Sequence, residues 1–199
     1  QLLKEKYKDP EFRESLETAL ADGIKRVTRL INQMRFLSRD VLDSKEAIPL
    51  AQLVTEAFEE AQKQQPAKPG KLKCDIGNQL IFLTGDRAAL RHALAEVMLN
   101  AIQANPTDPK VEVRAKTESN GGNTHNVQIE VQDNGEGFTA EAAEKVPEPF
   151  YTTRNVGLGL GLTVSRKIIE THRGTLTVVS PQPGHHGVVR IALPSDSTR

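Results

Sequence analysis

The chain has no tryptophan, one cysteine, two methionines and only 4% aromatic residues among its 199 positions. It also lacks a charge excess: 26 Lys and Arg face 26 Asp and Glu, for a formal net charge of zero. Each shortage excludes something. Few aromatics remove the stacking platforms on which single-stranded nucleic acid binds. A balanced charge removes the basic surplus that holds polyanions in bulk, which argues against a nucleic-acid partner. A lone Cys74 permits neither an intramolecular disulfide nor a multi-cysteine zinc site and suits a reducing compartment. Its setting in Leu72-x-Cys74-x-Ile76 predicts the apolar face of an alternating strand, and so a buried, inert thiol. No run approaches the roughly 18 apolar residues that span a bilayer, and no basic-then-apolar leader opens the chain. The chain as given therefore reads as soluble, with a core that is mostly aliphatic.

What is present divides into a long helix and a compact remainder. Asp9-Pro10 starts a helix, Asp at the N-cap and Pro at the first helical position, and residues 1–8 read as the tail of a preceding helix. From Pro10 to about Arg39, Leu20, Ile24, Val27, Ile31 and Met34 recur at spacings of four and three. Leu16, Leu30 and Leu37 widen this stripe beyond a two-residue seam, as in a helix of a four-helix bundle. The basic residues Lys25, Arg26, Arg29, Arg35 and Arg39 read as its solvated face, balanced by Glu14, Glu17 and Asp22. After a linker over Val41–Pro49, helices are predicted at Leu50–Gln64, Asp86–Ala104 and Gly161–His172. Strands are predicted at Leu72–Ile76, Val111–Ala115, Val127–Val131, Leu176–Val178 and Val189–Leu193. The mixed order predicts a sheet covered on one face by helices. Ser119–Asn126 reads as a polar hairpin loop.

Three elements carry chemistry. On the helix Asp86–Ala104, Leu90, Leu94, Val97 and Ala101 line a sheet-facing side, and His92, Glu96 and Asn100 form a polar stripe on its flank; such a stripe on an amphipathic helix is commonly just solvated. Asp133-Asn-Gly135-Glu-Gly137-Phe138 follows a strand but leads into Thr139-Ala-Glu-Ala-Ala-Glu, a short capped helix, so the turn is not an ordinary hairpin. Gly135 stands where a calcium loop needs its second ligand. A carboxylate beside two glycines can accept from an amine and let a flat ligand approach the backbone. Gly157-Leu-Gly159-Leu-Gly161-Leu162 opens a helix whose free N–H groups and dipole make an anion site. Its spacing fails the dinucleotide fingerprint, and Gly70-Lys71 fails the P-loop pattern.

In order, and with Pro147-Glu-Pro149-Phe150-Tyr151-Thr152-Thr153-Arg154 between the second and third, these elements resemble the catalytic ATP-binding domain of sensor histidine kinases. That domain belongs to the GHKL superfamily with gyrase and MutL. Glu96-x-x-x-Asn100-Ala101 matches the N box, Asp133-x-Gly135-x-Gly137 the G1 box, Pro149 to Thr153 the F box and Gly157 to Leu162 the G2 box. Gly174, Ser180, Gly187 and Leu193-Pro194 sit where the family ends its last hairpin, and the long first helix ending Phe36-Leu-Ser-Arg39 looks like the second helix of its dimerisation and phosphotransfer domain.

The resemblance implies an α/β two-layer sandwich (α+β) of the Bergerat type, residues 46–199, preceded by a partial dimerisation hairpin, residues 1–45, that forms a homodimeric four-helix bundle. It implies Mg²⁺ and ATP as cofactors. Asp133 would accept from the adenine amino group, Asn100 would hold Mg²⁺, and Gly157, Gly159 and Gly161 would offer N–H groups to the phosphates. A lid from about Val146 to Leu158 would be pinned by Phe150. Ala104, Gly135, Gly137, Thr152, Thr153, Arg154, Leu158, Leu160 and Leu162 would complete the nucleotide contacts. Two positions depart from the family pattern: Glu96 stands where histidine kinases commonly carry Asn, and Arg154 where they carry Lys. Glu96 is expected to act as a general base or to polarise the incoming imidazole, and to allow some ATP hydrolysis. No histidine precedes His92, so the phosphoacceptor is expected upstream of this chain. His125, His172, His185 and His186 read as surface or capping residues. The implied partner is a response-regulator receiver domain. The fragment is expected in the cytoplasm, with any membrane segments of the intact sensor upstream. A GHKL ATPase and a nucleotide-binding scaffold without transfer are the alternatives.

Overall fold

A computed structural model describes residues 6, 9–38, 45–77, 80–105, 107–119, 125–138, 159–179 and 186–195. The chain divides into two units, Gln1–Ser38 and Arg39–Arg199.

The first unit is built on helix α1 (Pro10–Leu37). The Asp9 side chain accepts from the Glu11 N–H at 3.0 Å, with Pro10 in the first turn, so the start is the one the sequence specifies. Leu20, Ile24, Val27, Ile31 and Met34 are each 57–67% exposed, so this apolar stripe lies on the surface of the chain.

The second unit is a two-layer α/β fold. A five-stranded sheet runs in the order β2 (Lys71–Asp75), β4 (Lys110–Ser119), β5 (His125–Asp133), β7 (Val188–Ser195), β6 (Thr175–Val178). The β2–β4 pair is parallel and the other pairs are antiparallel. Helices α2 (Leu50–Lys63), α3 (Arg87–Ala104) and α4 (Gly161–Thr171) form the second layer.

The alternation of the central strands decides which face is covered. Val127, Ile129 and Val131 are buried while Gln128, Glu130 and Gln132 between them stay partly open. The polar face carries ion pairs from strand to strand, Lys73 Nζ to Glu112 Oε1 at 2.8 Å and Arg190 Nε to Glu130 Oε2 at 2.8 Å, and one along β4, Arg114 Nη2 to Glu112 Oε1 at 3.0 Å. A sheet apolar on one face and charged on the other can be covered by helices only once.

Two strands were not anticipated. β1 (Glu46–Pro49), inside the expected linker, pairs antiparallel with β3 (Phe82–Gly85) in a separate small sheet. Both are four residues long, and β1 ends in proline, so neither shows a run of alternation.

Cys74 also departs from expectation: it is exposed rather than buried. It pairs with the buried Val113, but β2 is an edge strand, with only one neighbour to cover it. The inert part of the reading stands, because desolvation and the adjacent Asp75 carboxylate push the thiol's pKa up and disfavour the reactive thiolate.

The expected helix at Thr139–Glu144, the tip of the Ser119–Asn126 loop, Arg39, Ser180, His185 and the lid lie outside the described residues.

Candidate functional site

The site is assembled at one end of the helical layer, and α3 is its axis. Asp86 caps this helix, Oδ1 accepting from the Ala89 N–H at 3.0 Å. α3 is buried almost all round, from Ala89 to Ile102, because the sheet lies against one side and α2 and α4 against its flanks. The His92–Glu96–Asn100 stripe is therefore not a solvated face. Glu96 is 0% exposed, and His92 and Asn100 are half-buried.

The α2 side is fixed by a row of charges. Arg87 reaches Glu56 with Nη2 at 2.7 Å and Nε at 3.3 Å, a bidentate clamp. One turn on, Glu60 receives Arg91 Nε at 2.9 Å and faces His92 Nδ1 at 3.3 Å. The hydrogen bond with His92 and the Arg91 charge hold the Glu60 carboxyl below its usual range against the opposing effect of burial.

The α4 side is fixed by two buried polar side chains. Ser165 Oγ, fully buried, lies 2.9 Å from Ala93 O and 3.0 Å from Gly161 O. His172, capping the C-terminus of α4, accepts the Asp86 N–H on Nε2 at 3.0 Å and donates from Nδ1 to Ile168 O at 2.7 Å. From Asp86 to Ala93 is seven residues forward on α3, and from His172 to Ser165 is seven residues backward on α4. The two helices are thus antiparallel in one register, which carries Gly161 alongside Val97, one turn short of Asn100. Gly159 takes a left-handed φ of 65° before the helix starts. Leu160, at the N-cap, gives no side-chain bond, and the first turn of α4 holds no acidic residue to offset the positive end of the helix.

The third wall is the turn after β5. An added Cβ at Gly135 would stand 2.6 Å from Ala104 O and 2.7 Å from Ala104 Cβ, so this turn packs directly on the last residue of α3, one turn beyond Asn100. Asn105 Nδ2 donates to Asn134 O at 3.3 Å, while Asn134 accepts from the Lys110 N–H at 2.8 Å and donates to Asp108 O at 2.9 Å, tying the turn to the start of β4. Asp133, 7% exposed, has Oδ1 bonded by the N–H groups of Gly135 at 2.8 Å and Gly187 at 3.3 Å. Gly137 follows with φ 78°.

Of the residues expected at the site, Glu96, Asn100, Ala104, Asp133, Gly135, Gly137, Gly159, Leu160, Gly161 and Leu162 are described, and their elements meet around the C-terminal half of α3. Phe150, Thr152, Thr153, Arg154, Gly157 and Leu158 lie outside the described residues. Gly70, rejected as a phosphate loop, donates its N–H to Gln62 Oε1 at 2.7 Å and closes the α2–β2 connection. His172 is a capping residue as expected, but buried rather than on the surface. Its role, those of Ser165 and Asn134, and the contact of Gly187 with Asp133 were not legible, because each is a long-range pairing without local pattern. Among the described residues no group of three His, Cys, Asp or Glu could hold a metal ion, and no helix is long and apolar enough to cross a membrane.

Comparison with known proteins agrees with this geometry. Residues 85–197 match the family model described as histidine kinase-, DNA gyrase B- and HSP90-like ATPase. The chain is 28% identical over 194 residues to the signal transduction histidine-protein kinase AtoS of Escherichia coli K12, covering 98% of this chain and 31% of AtoS. It is 31% identical over 172 residues to sporulation kinase B of Bacillus subtilis 168, covering 86% of this chain and 39% of that kinase. The chain thus spans between about a third and two fifths of these relatives' lengths. Among solved structures, the mycobacterial sensor histidine kinase MprB shares the fold with a TM-score of 0.66 at 21% identity, over 78% of this chain and 100% of that one. With α3, the Asp133 turn and α4 all inside the matched segment, the chain belongs to the family of histidine kinase-, DNA gyrase B- and HSP90-like ATPases.

Proposed function

We propose that this chain is the ATP-binding kinase core of a two-component sensor histidine kinase, transferring the γ-phosphoryl group of ATP to a histidine on a partner segment and thence to a response-regulator aspartate. The observation that carries the reading is the convergence of Asn100, the Asp133–Gly137 turn and the N-terminus of α4 at one end of the helical layer. Each element supplies one recognition chemistry. Asp133, with Oδ1 held by two peptide N–H groups, accepts from the adenine amino group, where guanine would present a carbonyl. Gly135 lets the turn pack directly on Ala104, which sets it beside α3, and Gly137, with its left-handed φ, leaves the backbone open to the base. The N–H groups at Gly159, Leu160, Gly161 and Leu162 face the phosphates. The remaining contacts are assigned, by the family resemblance alone, to Phe150, Thr152, Thr153, Arg154, Gly157 and Leu158, which lie outside the described residues.

Asn100 offers a neutral, half-buried amide oxygen with no carboxylate cluster around it among the described residues. That donor suits Mg²⁺, which keeps several waters and takes most of its anionic ligands from phosphates. Bound there, the ion would supply charge neutralisation on the phosphates. Glu96, one turn before Asn100 and shut off from bulk water, holds or takes the proton of the incoming nucleophile.

We further propose that residues 1–45 are a dimerisation element and residues 46–199 the nucleotide domain. The exposed α1 stripe supports a homodimeric bundle, because five large apolar side chains at helical spacing need a partner. A second reading, an ATPase, is favoured by the Glu96 carboxylate alone. Calorimetric titration with Mg-ATP tests the binding site: wild type gives a saturable isotherm, Asp133→Asn loses it, and retention of affinity by Asp133→Asn overturns the adenine assignment.

A further inference from the structure

The nucleotide boxes leave unused the segment His186–Gly187, which leads into β7 and touches two G1-turn residues at once. His186 Nδ1 lies 3.0 Å from Gly135 O, and the Gly187 N–H lies 3.3 Å from Asp133 Oδ1. The Asp133 N–H donates back to Gly187 O at 3.0 Å, so Asp133 is gripped at both its peptide and its side chain. The other carboxylate oxygen lies against Gly187 Cα. A Cβ added there would overlap Asp133 Oδ2, come within 3.1 Å of Cγ and within 3.2 Å of Phe138 Cε2. Gly187 is buried and has no positive φ among the glycines that do, so its requirement is for space and not for backbone freedom.

We propose that His186–Gly187 is a positioning wall of the base site, which fixes the Asp133 carboxylate in the rotamer that selects 6-aminopurine nucleotides. The inference rests on the assignment of Asp133 to the adenine amino group. Backbone N–H groups hold Oδ1 without adding a competing charge, and the missing side chain at 187 keeps the space over Oδ2 for the carboxylate itself. Any side chain at 187 rotates the carboxylate off its axis. His186 braces the opposite side by holding the carbonyl of Gly135, the residue whose own N–H, one peptide earlier, grips Oδ1.

The test compares affinity for Mg-ATP with affinity for the triphosphate of purine riboside, which lacks the 6-amino group, by equilibrium titration. A site built to accept an N–H discriminates against the analogue that lacks it. Wild type is expected to prefer ATP by about tenfold or more, the range of a hydrogen bond to a charged acceptor. Gly187→Ala should weaken ATP binding by a similar factor, leave the analogue's affinity unchanged, and so abolish the preference. Gly174→Ala is the control for mere crowding, since a Cβ there would overlap Ala192 O far from Asp133; it should lower stability and keep the preference. If Gly187→Ala does not fold, His186→Ala removes an exposed side chain and should reduce the preference by itself. Full preference retained by a folded Gly187→Ala, or by His186→Ala where that variant stands in, overturns the inference. Absence of any preference in wild type instead overturns the adenine assignment beneath it.

Discussion

The imidazole of His172 accepts the backbone N–H of Asp86 at 3.0 Å, joining the end of α4 to the start of α3. Its other nitrogen donates to Ile168 O, so the ring is held neutral in one tautomer. Burial drives its pKa below the usual histidine value, outweighing the Ile168 bond and the Asp86 charge that favour the proton; Lys45 adds to the depression.

A depressed histidine pKa has a definite sign in stability. Above about pH 6.5 both folded and unfolded chains carry neutral His172 and nothing is lost. As pH falls through that value the unfolded chain takes the proton first, and stability declines until the folded value is passed. Urea denaturation from pH 8 to pH 5 should show this loss, and His172→Phe should be less stable at pH 8 yet flatter across the range. An equal slope in the variant would assign the loss to other groups.

Gly85 makes room for that ring. An added Cβ would overlap His172 Cδ2 and lie 2.7 Å from Nε2 and 3.1 Å from Leu90 Cδ1. Gly85→Ala should destabilise the nucleotide domain by about 1–3 kcal/mol through overpacking, read as a lower urea midpoint with unchanged slope.

Ser165 ties α4 to α3 near the end where the phosphates are proposed to bind. Ser165→Ala leaves Ala93 O its helical partner, so the expected cost is about 1 kcal/mol in denaturation. The same variant should weaken Mg-ATP binding beyond what its stability loss explains, because Gly161 and Asn100 are aligned through this contact. Ser165→Cys, of similar size, should recover part of the packing and little of the affinity.

The role proposed for Glu96 separates hydrolysis from binding. Glu96→Gln keeps shape and burial and removes the charge, so Mg-ATP affinity should hold while phosphate release or phosphotransfer falls by about 10²–10⁴-fold, the range for a lost general base. Unchanged rates of both would remove Glu96 from the chemistry.

The α1 stripe predicts self-association. Ile24→Glu places a charge within a stripe of five apolar residues that are each more than half exposed. By analytical ultracentrifugation wild type should sediment as a dimer and the variant as a monomer, with Mg-ATP affinity preserved.

The parts of this architecture written in local pattern were readable in advance. Asp9-Pro10 and Asp86 announced their helices, because a cap is a short-range bond between neighbours. Alternation announced the five strands of the main sheet, because one face is buried and the other carries Glu130 and Arg190. β1 and β3 escaped because four residues hold too little period to read. Periodicity alone puts Glu96 on a solvated flank, since it assigns a helix one apolar face while α3 is packed on three sides; only the family resemblance marks Glu96 as a candidate catalytic residue. Cys74 looked buried, since alternation cannot tell an edge strand from a central one. The ties among Ser165, His172, Gly187 and their partners join residues 54 to 86 positions apart, and nothing local in the chain marks them.

The proposed reaction carries a phosphoryl group from ATP to histidine. The direct measurement mixes the chain with γ-labelled ATP, Mg²⁺ and a separately supplied, histidine-bearing first helix of a dimerisation domain, and follows the label. Acid-labile label is expected on that histidine, and is expected to be lost with Asp133→Asn. Free labelled phosphate with none on the histidine would contradict the kinase reading and establish an ATPase, and bound nucleotide with neither product would leave a scaffold that signals by conformation.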